Sequence, residues 1–234
     1  MRVLLCRALA AVSMLALTFS QTSAADPGDP EARRAAGEPG PVLVELFASR
    51  NCQACPKAYR TLAEAQAGRD DLLVLTWAVD YWDYLGEADP MALQDSKARQ
   101  AAYVDRFGVR APYTPQTVYD GLFECPGNRP RDVRAKLAQA KAAPADGVTL
   151  EIRQAALTVS GPDTVTAGVW LVEYLPGTQA ESGMPNPVTS FRQIARYNGG
   201  DLSLDRPDCA AGCAVIVQGD GSGPVLAAGQ LVGP

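Results

Sequence analysis

Two cysteines separated by two residues, Cys52 and Cys55, are the side chains of this sequence best suited to chemistry. A continuous apolar run, Val42 to Ser49, precedes them, and a segment with helical spacing, Pro56 to Ala67, follows. The cysteines therefore fall at a helix N-terminus, where the helix dipole and free N–H groups stabilise a thiolate. The spacing predicts a redox-active dithiol with Cys52 as the exposed nucleophile and Cys55 as the buried resolving thiol.

The same pair has other interpretations. Cys209 and Cys213 could complete a four-cysteine zinc site, but their spacing is unusual for one. Two thiolates could instead hold Cu(I) in a metal-binding or chaperone module, since soft ligands suit that ion. An inert structural disulfide is the third alternative. Gln53 and Ala54 between the cysteines carry no charge, so the direction of electron flow stays open.

The composition excludes several classes of site. The chain has no histidine, so Ser-His-Asp and Cys-His nucleophile systems and histidine-ligated metal sites cannot form. A net charge of −5 without a basic cluster argues against nucleic-acid binding. We expect no dissociable cofactor and no metal; the partners would be periplasmic proteins that carry thiols or disulfides.

The first residues indicate export. Two arginines precede an apolar run that reaches about Phe19, and small residues follow. The run is shorter than the ~20 residues that span a bilayer. We therefore expect a signal peptide over residues 1–25, cleaved after Ala24 or Ala25, and a periplasmic or secreted protein without stable membrane insertion.

The remaining sequence alternates strands and helices before it changes character. A flexible leader, residues 26–39, comes first. A second buried strand, Leu72 to Val79, precedes a helix capped by Asp89 with Pro90 at its first position and ended by Gly108. A third helix runs from about Pro130 to Ala143. Beyond Gly147 the sequence pattern predicts short strands, with GDGSGP as a hairpin loop between the last two.

This order predicts an α/β fold: a thioredoxin-like domain with a helical insertion, residues 40–144, followed by a β-rich C-terminal domain, residues 145–234. In that context a cis peptide bond before Pro115 would lie beside the cysteines. Thr114 would then offer backbone groups to an extended substrate, so both residues are candidates for substrate binding.

Glu45 interrupts the first apolar strand. A carboxyl group buried beneath a dithiol can take and return the proton of the inner cysteine, which makes Glu45 a third catalytic candidate. The alternative is a carboxylate that pairs with an arginine or accepts backbone hydrogen bonds. The sequence leaves both open.

Two further features carry alternatives of their own. The segment DYWDYLG, residues 80–86, could form a recognition surface, although aromatic residues more often fill a core. Cys209 and Cys213 favour a short structural disulfide, which leaves Cys125 as the odd thiol of the mature chain. A bridge from Cys125 to one of that pair is the other possibility.

Four sequence blocks, VELFASRNCQACP, VDYWDYLG, the ARQ at 98–100 and YTPQ, carry a resemblance to a known family. The chain resembles exported bacterial proteins of domain-of-unknown-function family 1223, strongly over residues 41–121 and more weakly through WLVEY and the final strands. The resemblance implies a thioredoxin-like fold, redox cysteines at Cys52 and Cys55, and the proline at Pro115. Cys125, Cys209 and Cys213 look additional to the family's pattern, and could be structural or form a relay. The segment ESGMPNPVTS also departs from it.

Overall fold

A computed structural model describes residues 40–141, 143, 147–177 and 183–231. The predicted signal peptide and leader, residues 1–39, lie outside the described residues. None of the helices in the described part of the chain is long and apolar enough to cross a membrane.

The first sheet has four strands in the order β2-β1-β3-β4. The strands β1 and β2 are parallel, with Val42 opposite Leu72, while β3 runs antiparallel to β1 and β4 to β3. Every residue of β1 and β2 is buried, which explains why both read as unbroken apolar runs. The strands are β1 (Val42–Ala48), β2 (Leu72–Ala78), β3 (Gln116–Tyr119) and β4 (Phe123–Pro126).

Three α-helices pack on the two faces of this sheet: α1 (Cys55–Gln66), α2 (Gln94–Phe107) and α3 (Pro130–Lys141). On one face, Val44 and Leu46 of β1 share a hydrophobic cluster with Leu62 of α1 and with Val133 of α3. On the other face, the β1 residues Leu43 and Phe47 pack with Tyr103 of α2. The two-residue period of β1 therefore divides its side chains between two cores.

The predicted start of the second helix is wrong. Asp89 does not cap a helix; its carboxylate accepts the N–H of Arg50 at 2.8 Å and the N–H of Met91 at 3.0 Å. The chain makes a single 3-10 turn, Asp83–Leu85, and α2 begins only at Gln94. The Asp89 carboxylate therefore binds the backbone of Arg50, which is 39 residues away in sequence, instead of capping a helix.

In the described part of the chain, seven strands follow α3 and form two antiparallel sheets, ordered β11-β10-β7-β8 and β5-β6-β9. The residues 220–224 connect β10 to β11, where the sequence predicts a hairpin loop. The strands are β5 (Thr149–Ile152), β6 (Ala156–Gly161), β7 (Ala167–Tyr174), β8 (Val188–Tyr197), β9 (Gly200–Asp205), β10 (Gly212–Gly219) and β11 (Val225–Leu231).

These later strands pack directly against the first sheet. Val172 of β7 and Ile216 of β10 belong to the same cluster as Phe47 and Trp77. The segment before β8 also lines the edge of β2: the N–H of Thr76 donates to the carbonyl of Asn186 at 3.1 Å. The segment ESGMPNPVTS, in its described part, therefore protects an edge strand.

The predicted fold class, an α/β thioredoxin-like fold, is wrong. Strands hold 40 % of the described residues and helices 22 %, in three sheets, so the chain is β-rich. The prediction rested on the alternation of strands and helices before residue 144. Their four-stranded sheet is one of three, and it has a single parallel pair because β3 and β4 return in the antiparallel direction.

Candidate functional site

Cys52 and Cys55 are joined by a disulfide, with their Cα atoms 5.4 Å apart. The N–H of Cys52 donates to the carbonyl of Ser49, and the N–H of Cys55 donates to the carbonyl of Cys52, both at 3.1 Å. Cys55 is the first residue of α1. Because β1 ends at Ala48, a short hydrogen-bonded turn carries the pair directly from the strand into the helix.

The two sulfurs differ little in exposure. Cys52 is 7 % exposed and Cys55 is fully buried, and both belong to the cluster between the sheet and α1. Cys52 is the more exposed of the two cysteines. It is nevertheless buried, so the prediction of an exposed nucleophile is wrong.

The start of α1 favours negative charge near the cysteines. Its N-cap residue, Ala54, makes no side-chain hydrogen bond, and the first turn holds no acidic residue. The partial positive charge of the helix end is therefore not neutralised locally. The nearby guanidinium of Arg50 lies 3.6 Å from the Glu87 carboxylate, which offsets its charge.

The segment after β2, residues 81–89, is held against this turn, and we call it the aromatic loop. The side-chain amide of Asn51 donates to the carbonyl of Glu87 at 2.8 Å, and the Arg50 N–H is bound by Asp89. Gly86 approaches closely enough that a Cβ there would lie 2.7 Å from Asn51 Oδ1. The loop and the disulfide turn therefore form one packed unit.

The aromatic side chains of this loop divide between core and surface. Trp82 packs against the cluster that contains Cys52 and Cys55. Tyr84, whose ring centroid is 6.1 Å from that of Trp82, is 76 % exposed, and Leu85 is 56 % exposed. The core alternative for DYWDYLG therefore holds for Trp82, whereas Tyr84 and Leu85 are exposed and their role in recognition stays a prediction.

The peptide bond between Thr114 and Pro115 is cis, as the sequence analysis predicts. Trp82 connects it to the disulfide region, because its indole N–H donates to Thr114 Oγ1 at 2.7 Å. Pro115 is buried, and its carbonyl accepts the N–H of Gly127 at 3.0 Å. The structure thus brings Thr114 and Pro115 to the same region as the cysteines through Trp82.

Glu45 lies elsewhere. Its carboxylate is fully buried and pairs with the guanidinium of Arg99, and it accepts the hydroxyl of Tyr103 at 2.6 Å. Burial has the largest single effect and lowers the pKa of Arg99, but the charge of Glu45, its hydrogen bond and Tyr103 together outweigh burial and hold this pKa above its usual value. Glu45 shares a face of β1 with Leu43 and Phe47, opposite the face that packs with the cysteines.

The predicted catalytic role of Glu45 is therefore not supported. The arginine pairing, which was the other alternative, is what the structure shows. The partner is 54 residues away in sequence, on α2, so periodicity alone could not identify it.

The remaining cysteines separate into a pair and a free thiol. Cys209 and Cys213 form a disulfide with Cα atoms 6.0 Å apart, the pairing that the sequence favours. Cys125 is unpaired and buried, so the alternative bridge to that pair is wrong. Burial raises the pKa of the Cys125 thiol, and the hydroxyls of Thr117 and Tyr119 lie 3.5 and 3.6 Å from its sulfur.

Two residues near the disulfide carry no signal in the sequence. Met184, from the segment before β8, is fully buried in the same cluster as Cys52 and Cys55. Tyr59, one helical turn after Cys55, has a buried hydroxyl without a hydrogen-bond partner among the described residues. Burial, with a smaller contribution from Asp89, raises the pKa of Tyr59. Both positions depend on long-range packing.

In the reduced state the two thiolates could hold a soft metal ion. The described part of the chain contains no group of three or more histidine, cysteine, aspartate or glutamate side chains placed to bind one.

A family model described as "Protein of unknown function (DUF1223)" matches residues 43–183, more than half of the chain. The chain belongs to the DUF1223 family. The matched region includes the disulfide, the aromatic loop and the cis-proline.

Two solved structures are similar to this DUF1223 protein. The crystal structure of a protein from Agrobacterium tumefaciens superposes with a TM-score of 0.69 at 23 % identity, covering 84 % of this chain and 96 % of that one. HBP35 of Porphyromonas gingivalis superposes with a TM-score of 0.60 at 11 % identity, covering 82 % and 75 %. At these identities the likeness shows the fold alone, and neither structure supports a thioredoxin-like assignment. No curated protein matches the DUF1223 chain.

Proposed function

We propose that this protein carries out thiol–disulfide exchange at Cys52 and Cys55. The observation that carries the proposal is a disulfide that closes the turn into α1, with the less buried cysteine in front of an uncapped helix N-terminus. A helix end of this kind stabilises the thiolate that must leave or attack during exchange.

The chemistry can be written from the oxidised state. A substrate thiolate attacks the Cys52 sulfur, which forms a mixed disulfide and releases Cys55 as a thiolate. A second substrate thiolate then attacks the substrate's sulfur in that bond and releases Cys52. Two electrons pass from the substrate dithiol to the protein, and the reverse sequence reduces a substrate disulfide.

The substrates would be proteins with cysteines in extended segments. Trp82 and Thr114 border the region of the disulfide, and Tyr84 and Leu85 expose apolar surface on the same loop. Thr114, which is joined to Pro115 by the cis peptide bond, is therefore proposed to offer its backbone groups to an extended segment of the partner.

Export is part of the proposal, because structural disulfides and dithiol exchange both suit an oxidising compartment. The signal-like residues 1–25 predict cleavage after Ala24 or Ala25. Cell fractionation with mass determination of the mature chain tests this. An intact Met1 in the cytoplasm would contradict it.

A specific observation favours one rival. Both sulfurs are nearly inaccessible, and the turn is tied to the aromatic loop through Asn51 and Asp89, as an inert structural disulfide would be. The two functions differ in reduction potential, which is below about −300 mV for structural disulfides and higher for catalytic ones.

The deciding experiment is a redox titration of the mature protein against glutathione or dithiothreitol, with alkylation and mass spectrometry. The background is Cys125→Ser, which removes the free thiol, and the internal control is the Cys209–Cys213 disulfide. A Cys52–Cys55 potential above about −270 mV supports exchange. Cys55→Ser should trap a mixed disulfide through Cys52, whereas Cys52→Ser should trap none. A potential in the structural range with an unreactive Cys52 would sink the proposal.

A further inference from the structure

A cavity of about 450 Å³ lies between α2 and the sheet β11-β10-β7-β8. Arg99 of α2 forms part of its lining, and Arg99 pairs with Glu45 on the face of β1 opposite the cysteines. The cavity is therefore separate from the disulfide site. Its volume falls in the range of about 300–1,000 Å³ that small-molecule sites occupy.

Trp170 and Phe191 supply the aromatic part of the cavity lining. The rings of Trp170 and Phe191 stack with their centroids 4.5 Å apart and their planes at 11°. Gly168 allows this placement, because a Cβ there would lie 2.4 Å from Trp170 Nε1. Trp77 meets the Phe191 ring edge-on at 5.2 Å and supports it from within the core. Phe191 therefore covers one face of the Trp170 ring and fixes its position, so a planar ligand can stack only on the other face of Trp170.

Arg99 supplies a fixed donor beside these rings. Its Nε and Nη2 groups are bound by Glu45, and Nη2 also contacts Tyr103 and Gln218. Its guanidinium carbon is 4.9 Å from the centroid of the Phe191 ring. Among the described residues, Nη1 has no hydrogen-bond partner, so this amino group is available to a ligand.

A second guanidinium stands at the rim. Arg196 makes two hydrogen bonds with Asp220, at 2.7 and 2.6 Å, and both side chains are largely exposed. Both side chains are exposed to solvent and salt screens their attraction, so the carboxylate of a ligand can compete with Asp220 for Arg196. Arg192 and Asp95 also line the cavity, with opposite charges.

We propose that this cavity binds small aromatic carboxylates. The planar group stacks on the face of Trp170 that Phe191 does not cover, and the carboxylate accepts hydrogen bonds from Arg99 Nη1 and from Arg196. Guanidinium–carboxylate bonds supply both charge and geometry, and aromatic stacking supplies the apolar contact. The Asp220 carboxylate competes with the carboxylate of the ligand for Arg196.

Calorimetric titration with 2-naphthoate and its neutral analogue 2-naphthamide, at low salt, tests the proposal. Naphthoate should bind about tenfold tighter than naphthamide, because a hydrogen bond to a charged group contributes at least that much. Arg196→Gln should weaken naphthoate binding about fivefold and leave naphthamide within about twofold. Asp220→Asn should strengthen naphthoate binding about two- to threefold, since it frees Arg196.

Arg134→Gln, an exposed arginine of α3 outside the cavity, is the matched control and should change neither affinity. Trp170→Leu should weaken both probes by a similar factor. The proposal is overturned if naphthoate does not bind at millimolar concentration, if the two probes bind equally, or if Arg134→Gln reproduces the effect of Arg196→Gln. None of these results depends on the redox state of Cys52 and Cys55, so the two proposals fail independently.

Discussion

The indole N–H of Trp82 donates a 2.7 Å hydrogen bond to Oγ1 of Thr114, the residue before the cis-proline. Trp82 also packs against the cluster that contains Cys52 and Cys55. One side chain therefore joins the surroundings of the disulfide to the segment proposed to hold a partner. The hydrogen bond can be tested by substituting either of its two residues.

Trp82→Phe keeps an aromatic ring but removes the donor, and Thr114→Val removes the acceptor. Each should lower the free energy of unfolding by about 1–2 kcal/mol, since the remaining polar group loses its partner. The double variant should cost less than the sum, with a coupling of about 1 kcal/mol in urea unfolding. Strictly additive effects would mean that the bond contributes nothing to stability.

Glu45→Gln leaves the charge of Arg99 buried without its counterion. The variant should lose about 3–5 kcal/mol of stability, the range for breaking one partner of a buried pair. Because Glu45 lies on the face of β1 away from the cysteines, the reduction potential of Cys52–Cys55 should not change.

The control for that experiment is Glu64→Gln, an exposed carboxylate on α1, which should change stability by less than about 0.5 kcal/mol. Urea unfolding and glutathione titration give the two readouts. A change in the pH dependence of exchange with Glu45→Gln, but not with Glu64→Gln, would restore the proton-transfer role that the structure argues against.

Gly86→Ala places a methyl group 2.7 Å from Asn51 Oδ1. The amide must turn away and give up its bond to the Glu87 carbonyl, at a cost of about 1 kcal/mol. We expect the aromatic loop to loosen and dithiothreitol to reduce the disulfide faster. With Asn51→Ala as background, the same substitution should have no further effect, and a persisting effect would place the strain elsewhere.

Asp120 predicts a dependence of stability on pH. Burial is the main cause that raises its pKa to about 7, although the N–H of Leu43 donates to its carboxylate at 2.7 Å and opposes the shift. The folded protein therefore binds this proton more tightly than the unfolded chain, whose carboxyl titrates near its ordinary value of 3.8. The stabilisation is complete below about pH 4 and is lost as the pH rises through about 7.

Asp120→Asn tests this sign. Asparagine keeps the acceptor oxygen and tolerates the positive φ of 46° at this position. Thermal or urea unfolding between pH 4 and 8 should show that the wild type loses stability with rising pH relative to the variant, by at most about 4 kcal/mol. Parallel pH profiles for the two proteins would contradict the assignment.

Local pattern predicted much of the secondary structure. The bounds of β1 and β2 agree with the apolar runs to within one residue, because strands buried on both faces tolerate few polar residues. The start of α2 was wrong because Asp89 has a distant partner, Arg50. The fold class was wrong for a similar reason: strand propensities do not specify which strands pair, in which direction, or how many sheets result.

The sequence by itself determined which reactive groups the chain carries and where they lie: two thiols at a strand-to-helix junction, no histidine, and a cis-proline candidate far along the chain. Only the tertiary structure decided which groups surround those thiols. It packed Trp82 against the cluster that contains them, put Glu45 on the opposite face with Arg99, and left Cys52 buried. Residue types and spacing report local preferences, whereas exposure and partners depend on the packing of segments that lie tens of residues apart.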